Sequence, residues 1–350
     1  MNIVFVLEHW GKGGTETYVE RLGAKLIEIG HRVTLVLLGG REPSRQWSSE
    51  TCLVLGSRRK QLKRLKSIVN QEDVGLVHLH LYVSMSIVSV YTKYSCDVPV
   101  VASWHLPLHV WNAMHKWLQV LALKCVDGAV GASELTAREL SVYRGDVVAI
   151  SPPITIPQSD MRPECSVAGN HIVGCGRMAA QKDWPTLLRA LANLDKQGVE
   201  FLCTLIGGGE LEDDYRSLSE ELGLKDKVVF TGHVEPQLVA GLLSQADLFV
   251  LPSKFEGFGM AAVEAMALGI PTITSDFPAS YEFLKEGETG THFSVGDDKA
   301  LAKRILWHLK HPEESQSLGL QGREFVVGNY EVEVIAKRHL TLYEKMITRR

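Results

Sequence analysis

The sequence predicts an α/β protein built from two doubly wound parallel sheets. Three observations carry that expectation. Short apolar runs alternate with helical stretches along most of the chain. The runs are apolar throughout rather than alternating with polar residues, as in strands buried on both faces. A proline-rich break near the middle interrupts the alternation, which then restarts. Length agrees, since 350 residues at about 150 per domain argues for two domains.

The first half opens on Ile3–Leu7, a short run rich in β-formers. Residues 8–14 are a glycine-rich loop. Thr15–Ile29 carries Val19, Leu22 and Leu26 at helical spacing and stops at Gly30, a residue suited to the C′ position. Val33–Leu38, Val74–Leu79 and Val98–Ser103 read as further strands, with helical stretches between and after them. Residues 1–150 therefore form one Rossmann-like unit. Residues 151–169 hold Pro152, Pro153, Pro157 and Pro163 among Ser, Gln and Asp, and read as a linker. Strands are expected at His171–Cys175, Phe201–Ile206, Val228–Thr231, Leu248–Leu251 and Pro271–Thr274. Helices are expected at Pro185–Leu194, Leu211–Leu222, Gln237–Ser244 and Met260–Leu268. Residues 170–330 form the second unit, and 331–350 add a final amphipathic stretch, Glu331–Ile347.

Composition closes several classes. Lys plus Arg is 37 and Asp plus Glu is 41, a net charge of −4 that argues against a generally basic nucleic-acid binder. Apolar residues at 45% and charged residues at 22% exclude a disordered chain. The six cysteines form no C-x-x-C pair and read as reduced core thiols. No N-x-[ST] sequon occurs, and Met1–Leu7 has no basic n-region, so the chain is read as cytoplasmic. Residues 74–92 contain no Asp, Glu, Lys or Arg. They hold His78, His80 and three serines, however, and are read as a buried strand and helix rather than a membrane span.

Ligands of open α/β sheets bind beyond the carboxyl ends of the strands. Four loops there carry unusual residues. The first, Gly11-Lys12-Gly13-Gly14-Thr15-Glu16, brings backbone N–H groups and a helix N-terminus to a position that suits phosphate. An ordinary tight turn would use the same glycines. Glu16 breaks the dinucleotide fingerprint, and no Walker loop is present. The second is His105, just past a strand, although a lone histidine is more often structural. In the third, Arg177 and Lys182 follow Gly174-Cys175-Gly176. A guanidinium fork and an ammonium there suit a diphosphate, whereas solvated surface cations are the plainer alternative. The fourth runs from Phe255 to Ala267. Glu264 lies on a helix that is apolar nearly all round and needs a partner; ribose or hexose hydroxyl pairs would serve, as would a core arginine. There is no H-E-x-x-H, no Cys/His zinc spacing, no G-x-S-x-G and no D-x-D, so no metal is expected.

Together these motifs resemble glycosyltransferase family 4, the retaining, metal-independent transferases of GT-B fold. In that fold two Rossmann-like domains face a central cleft. The resemblance rests on Gly13-Gly14-Thr15-Glu16, His105, Gly176-Arg177 with Lys182, Gly207-Gly208-Gly209-Glu210, Phe230-Thr231-Gly232-His233, residues 246–253, and Glu256 through Glu264 continuing to Pro271. It implies roles residue by residue. Gly13 and Gly14 lie against the donor diphosphate, with Gly208 also on the donor side. Arg177 and Lys182 clamp the diphosphate as it leaves. Glu264 holds the ribose. Glu256 and the backbone of Gly257, Phe258, Gly259 and Met260 hold the donor sugar, and His105 reaches that sugar from the first domain. Gly232, His233 and Val234 line the base pocket. Glu282 falls where the family often has Glu, but Tyr281 precedes it in place of the usual proline. The final helix crosses back to the first domain.

The implied reaction is hexosyl transfer from a UDP- or GDP-sugar to a glycan or lipid-linked acceptor, in glycan, polysaccharide or glycolipid biosynthesis. A sugar-nucleotide epimerase or hydrolase, and a non-catalytic sugar-nucleotide binding protein, are the other readings. One feature falls outside this set. Residues 58–66 (Arg58-Arg59-Lys60-Gln61-Leu62-Lys63-Arg64-Leu65-Lys66) form a basic amphipathic helix that is either a solvated face or a peripheral membrane contact.

Overall fold

The structure is a computed structural model. It describes residues 1–10, 13–39, 47, 51–54, 56–70, 73–81, 86–156 and 170–349, with backbone alone at 51–53, 81, 236 and 237. Gly11 and Lys12 of the glycine loop, residues 157–169 of the expected linker and Cys165 lie outside the described residues.

The chain divides into two compact units, Met1–Thr155 with Tyr330–Arg350, and Ile156–Asn329. In the first, the strands are β1 (Asn2–Leu7), β2 (Arg32–Leu37), β3 (Thr51–Leu53), β4 (Leu76–Leu81), β5 (Val100–Trp104), β6 (Gly128–Gly131) and β7 (Val148–Ala149). Its helices are α1 (Gly14–Glu28), α2 (Arg58–Val69), α3 (Ser86–Ser95), α4 (Ala113–Cys125) and α5 (Glu134–Ser141). The sheet is parallel throughout, in the order β3-β2-β1-β4-β5-β6-β7.

Both faces of this sheet are covered, which is why its strands read as unbroken apolar runs. Val4 and Val6 of β1 join one core with Leu65 of α2, Val88 of α3 and Ala122 and Leu123 of α4. Ile3, Phe5 and Leu7 point the other way, into a core with Tyr18, Leu22 and Leu26 of α1.

The second unit has β8 (His171–Cys175), β9 (Leu202–Ile206), β10 (Val228–Phe230), β11 (Leu248–Leu251), β12 (Thr272–Ser275) and β13 (Thr291–Phe293). Its helices are α6 (Trp184–Asp195), α7 (Glu212–Glu221), α8 (Pro236–Leu243), α9 (Met260–Ala267), α10 (Ser280–Phe283), α11 (Asp298–Lys310) and α12 (Pro312–Tyr330). The order β10-β9-β8-β11-β12-β13 is again parallel. In each sheet the chain winds outward one way and then the other. The switch points lie between β1 and β4, and between β8 and β11.

The last helix, α13 (Val332–Thr348), belongs to the first unit. Ile335, Ala336, Leu342 and Tyr343 join the core beneath α1, and Lys25 bonds Glu333 at 2.6 Å. The start of the expected linker also differs from the sequence reading. Residues 151–154 are buried, and Ile154 pairs with the chain on both sides of Glu331: Ile154 N–H donates to Tyr330 O and Val332 N–H to Ile154 O. Two strand ends shift because the residue at the expected start is proline or precedes one. Val98-Pro99 gives way to a strand from Val100, and Pro271, which has no N–H to donate, precedes β12. Residues 74–92 resolve into β4 and α3. Among the described residues, no helix is long and apolar enough to cross a membrane.

Candidate active site

In the second unit, the loops after β8, β9, β10 and β11 are tied into one platform. Gly176 N–H donates to Ile206 O, Met178 N–H to Gly208 O, Gly207 N–H to Gly232 O and Lys254 N–H to Gln181 O, all within 3.1 Å. Gly207 adopts φ +123°, and a Cβ there would lie 2.3 Å from Gly176 O. Only glycine lets these loops close on each other. Trp184, fully buried, donates its indole N–H to Arg177 O at 3.2 Å and fixes that turn.

On this platform the expected residues sort into distinct environments. Lys182 Nζ lies 2.5 Å from Glu256 Oε1, with side-chain exposures of 16% and 12%. The same carboxylate accepts from Ser253 Oγ at 2.7 Å, and Gln181 Nε2 reaches its other oxygen at 3.4 Å and Phe255 O at 2.8 Å. Thus two residues given separate roles form one held ion pair. Arg177, five residues earlier, is exposed and has no carboxylate partner among the described residues.

Gly259 caps α9 at φ +115°, and a Cβ there would sit 2.9 Å from the Phe283 ring. Gly259 offers no side chain to cap this helix; Ala262 and Val263 N–H donate to Gly259 O, which leaves the N–H groups of Met260 and Ala261 at the positive end of the helix dipole. Phe258 is buried, edge-on to Phe283 at 5.5 Å. Its side chain belongs to the core, which leaves only its backbone toward the loop surface. Glu264 is half-buried on α9. Its charge helps raise the Cys175 thiol, which burial chiefly pushes up to about 12 and Lys182 partly offsets. Gly208 and His233 are neighbours, since a Cβ on Gly208 would lie 3.2 Å from His233 N. The His233 side chain is exposed. Glu282 is half-buried on α10.

In the first unit, Gly13 and Gly14 are exposed at the uncapped start of α1. Glu16 folds back so that its Oε2 would lie 2.5 Å from a Cβ on Gly13. That oxygen is buried without a hydrogen-bond partner among the described residues.

His105 follows β5 and is not alone. His80 Nδ1 lies 3.2 Å from His105 Nε2, and the Tyr18 ring stands edge-on to His105 at 5.0 Å. His78 Nε2 is 2.8 Å from Ser103 Oγ, and His78 Nδ1 is 2.6 Å from the Tyr343 hydroxyl. Tyr18 completes the set, its hydroxyl 2.5 Å from His339 Nε2. Burial pushes His105 down to about 4 and His339 to about 3, and holds His78 and His80 well below their ordinary range. His80 Nε2 and His339 Nδ1 are buried without partners among the described residues, so a proton added there would meet no acceptor. All four imidazoles are therefore neutral near pH 7. One of His80 Nδ1 and His105 Nε2 donates and the other accepts, so the remaining ring nitrogen of each neutral imidazole takes the opposite role to the one in this contact.

The sequence reading singled out His105 but missed its setting. The signal was present: His78-x-His80 on one strand places both rings on one sheet face. No local pattern announced Tyr18, His339 or Tyr343 as their partners. Among the described residues, no group of three His, Cys, Asp or Glu side chains is arranged to hold a metal ion. Cys96, Cys125, Cys175 and Cys203 are not in disulfides among the described residues.

Comparison with known proteins agrees with this fold. Residues 167–325 match the family described as "Glycosyl transferases group 1", and residues 12–156 match "Glycosyltransferase Family 4". A lipopolysaccharide core biosynthesis mannosyltransferase of Rhizobium leguminosarum bv. viciae is 26% identical over 67% of this chain and 68% of its own. A phosphatidyl-myo-inositol mannosyltransferase of Mycobacterium leprae is 26% identical over 79% of this chain and 75% of its own. Among solved structures, sucrose-phosphate synthase of Thermosynechococcus elongatus superposes with a TM-score of 0.86 at 21% identity, covering 100% of both chains. Anabaena HepE in complex with UDP and glucose superposes with a TM-score of 0.83 at 18% identity, over 98% of this chain and 99% of that one. The fold is that of the GT-B glycosyltransferases. With family models matching one after the other along the two units, the chain belongs to glycosyltransferase family 4 and is a glycosyltransferase.

Proposed function

We propose that the protein moves a hexosyl group from a UDP- or GDP-sugar to a hydroxyl of a glycan or lipid-linked acceptor, with retention of anomeric configuration and without a metal ion. The carrying observation is the Lys182–Glu256 pair, with Arg177, which has no carboxylate partner among the described residues, on the same loop, at the β8/β11 switch point. A diphosphate is the ligand that two fixed cations and an uncapped helix start suit best. In this reading Arg177 takes the phosphate oxygens in a fork. Lys182, already oriented by Glu256, adds a point charge that strengthens as the sugar–phosphate bond breaks.

The C1–O bond to the diphosphate breaks through an oxocarbenium-like state. The acceptor oxygen bonds C1 on the face the diphosphate leaves, and its proton passes to the departing phosphate. Glu264 accepts from ribose hydroxyls, and neutral His105 offers a hydrogen bond to the sugar. Relatives named for mannosyl transfer to phosphatidyl-myo-inositol and to a lipopolysaccharide core support a glycolipid or glycan acceptor.

The test combines melting shifts with product analysis. UDP or GDP raises the melting temperature of the wild-type chain. Transfer proceeds in EDTA, and the product keeps the donor's anomeric configuration. In the double variant Arg177→Ala, Lys182→Ala the nucleotide-induced shift disappears. An unchanged shift would remove the clamp. Sugar release or conversion that ignores every acceptor would point to a hydrolase or epimerase instead.

A further inference from the structure

The helices α2, α3 and α4 lie side by side over one face of the first sheet, on the opposite side from the histidine cluster. Their sequences carry nine cations: Arg58, Arg59, Lys60, Lys63, Arg64 and Lys66 on α2, Lys93 on α3, and Lys116 and Lys124 on α4. None of the three helices contains an Asp or Glu. This occurs in a chain whose net charge is −4. Arg58 is bonded to Glu8 and Lys93 to Asp127. The other seven have no carboxylate partner among the described residues.

Charge alone would describe a solvated face, but apolar surface accompanies it. Helix α4 buries Ala122 and Leu123 yet turns a second apolar stripe outward. Met114 is 65% exposed, Trp117 63% and Leu121 38%, at helical spacing. On α3, Ile87 is 57% and Tyr94 78% exposed. Ile87, Tyr94 and Leu121 line a groove of about 430 Å³ that runs from Leu62 of α2 across Val90 and Tyr91 to Leu118 of α4. Contiguous exposed apolar surface of this kind marks an interaction site. The combination selects the partner. Anionic headgroups attract the lysines and arginines, the aromatic rings of Trp117 and Tyr94 suit the interfacial layer, and Met114, Ile87 and Leu121 suit the first acyl carbons.

We infer that the outer face of α2, α3 and α4 docks on an anionic membrane surface. This goes beyond the transfer reaction and does not depend on the donor site. It would bring the first unit to the layer where a lipid-linked acceptor resides.

The experiment sediments the full chain, without any sugar donor, on vesicles of phosphatidylcholine alone or with roughly one third phosphatidylglycerol. Binding is expected on the mixed vesicles, about tenfold or more above phosphatidylcholine alone, and is weakened by salt. The triple variant Lys60→Glu, Lys63→Glu, Arg64→Glu changes only exposed residues and is expected to bring binding to background. Trp117→Ala is expected to weaken binding and to remove the Trp quenching that brominated acyl chains produce. Both variants should retain wild-type transfer to a water-soluble acceptor, which separates this result from a failure of the transferase reading. Background binding on the mixed vesicles overturns the inference. So does equal binding to the two vesicle types, or binding that Trp117→Ala leaves unchanged. A concentration-dependent dimer that Trp117→Ala abolishes would also overturn it, assigning the face to a second copy of the chain.

Discussion

The two units solve the same problem with opposite chemistry. Each places polar side chains near the switch point of a parallel sheet. In the second unit those groups are charged and sit on loops that the adjacent strands hold together: Arg177, Lys182 and Glu256. In the first they are neutral imidazoles and hydroxyls: His78, His80 and His339 buried with Tyr18 and Tyr343, and His105 half-buried beside them. A charged pair at a rim keeps part of its hydration and can exchange partners for a ligand. A buried imidazole network holds its geometry only while it stays unprotonated.

That contrast can be broken most strongly with acid. Five histidines of the first unit, the four of this network and His31, are held below their ordinary 6.5 in the folded chain. Between that value and about 4 the unfolded chain binds more protons, so their contribution is intact above pH 6.5 and is lost as pH falls. Each histidine kept neutral contributes a slope of roughly 1.4 kcal/mol per pH unit. The second unit has two such groups, His292 and His308. Amide exchange at pH 5 should therefore show β1, β4 and β5 losing protection before β8 and β11. The reverse order would mean the histidine network is not the acid-labile element.

Removing the cations of the second unit tests its rim chemistry. Arg177→Ala with Lys182→Ala should lower kcat/KM by about 100- to 1000-fold, near 3–4 kcal/mol of lost charge stabilisation. Near-native melting is expected, because Ser253 and Gln181 still bond Glu256. Steady-state kinetics and a thermal scan check both halves of the statement. A smaller step is Gly259→Ala, which forces a Cβ onto Phe283 at positive φ. It should cost about 1–3 kcal/mol in chemical denaturation and weaken nucleotide binding. Should stability hold, the glycine would not be what seats α9. Smallest is Tyr343→Phe, which removes the hydroxyl from buried His78 and should cost roughly 1–2 kcal/mol by the same measurement. No change would show that His78 finds another partner.

How much was legible follows the same division. Gly176 through Lys182, and Glu256 through Glu264, are contiguous in the chain, and loop chemistry written in neighbouring residues can be read from them. The reading missed that Lys182 and Glu256, 74 positions apart, pair with each other, because that contact depends on β8 and β11 being neighbours. It also missed β6, whose Gly128-Ala129-Val130-Gly131 looks like a poor strand. The glycines are there because α5 and α13 pack close: a Cβ on Gly131 would lie 2.4 Å from Ala137 N, and one on Gly128 3.2 Å from the Met346 side chain. Strands β3, β7 and β13 span only two or three residues, too few for a pattern to register. The apolar positions of α4 were visible, but not that only one of its two stripes is covered.

By itself the sequence determined the alternation of strand and helix, the parallel sheets and the local loop motifs. All of these depend on interactions within a few residues or on hydrophobic pattern. Tertiary structure alone decided which cations are paired, which histidines share a core, and that residues 332–348 complete the first unit. Those outcomes depend on strand order and on contacts between distant parts of the chain, for which no short stretch of residues carries a signature.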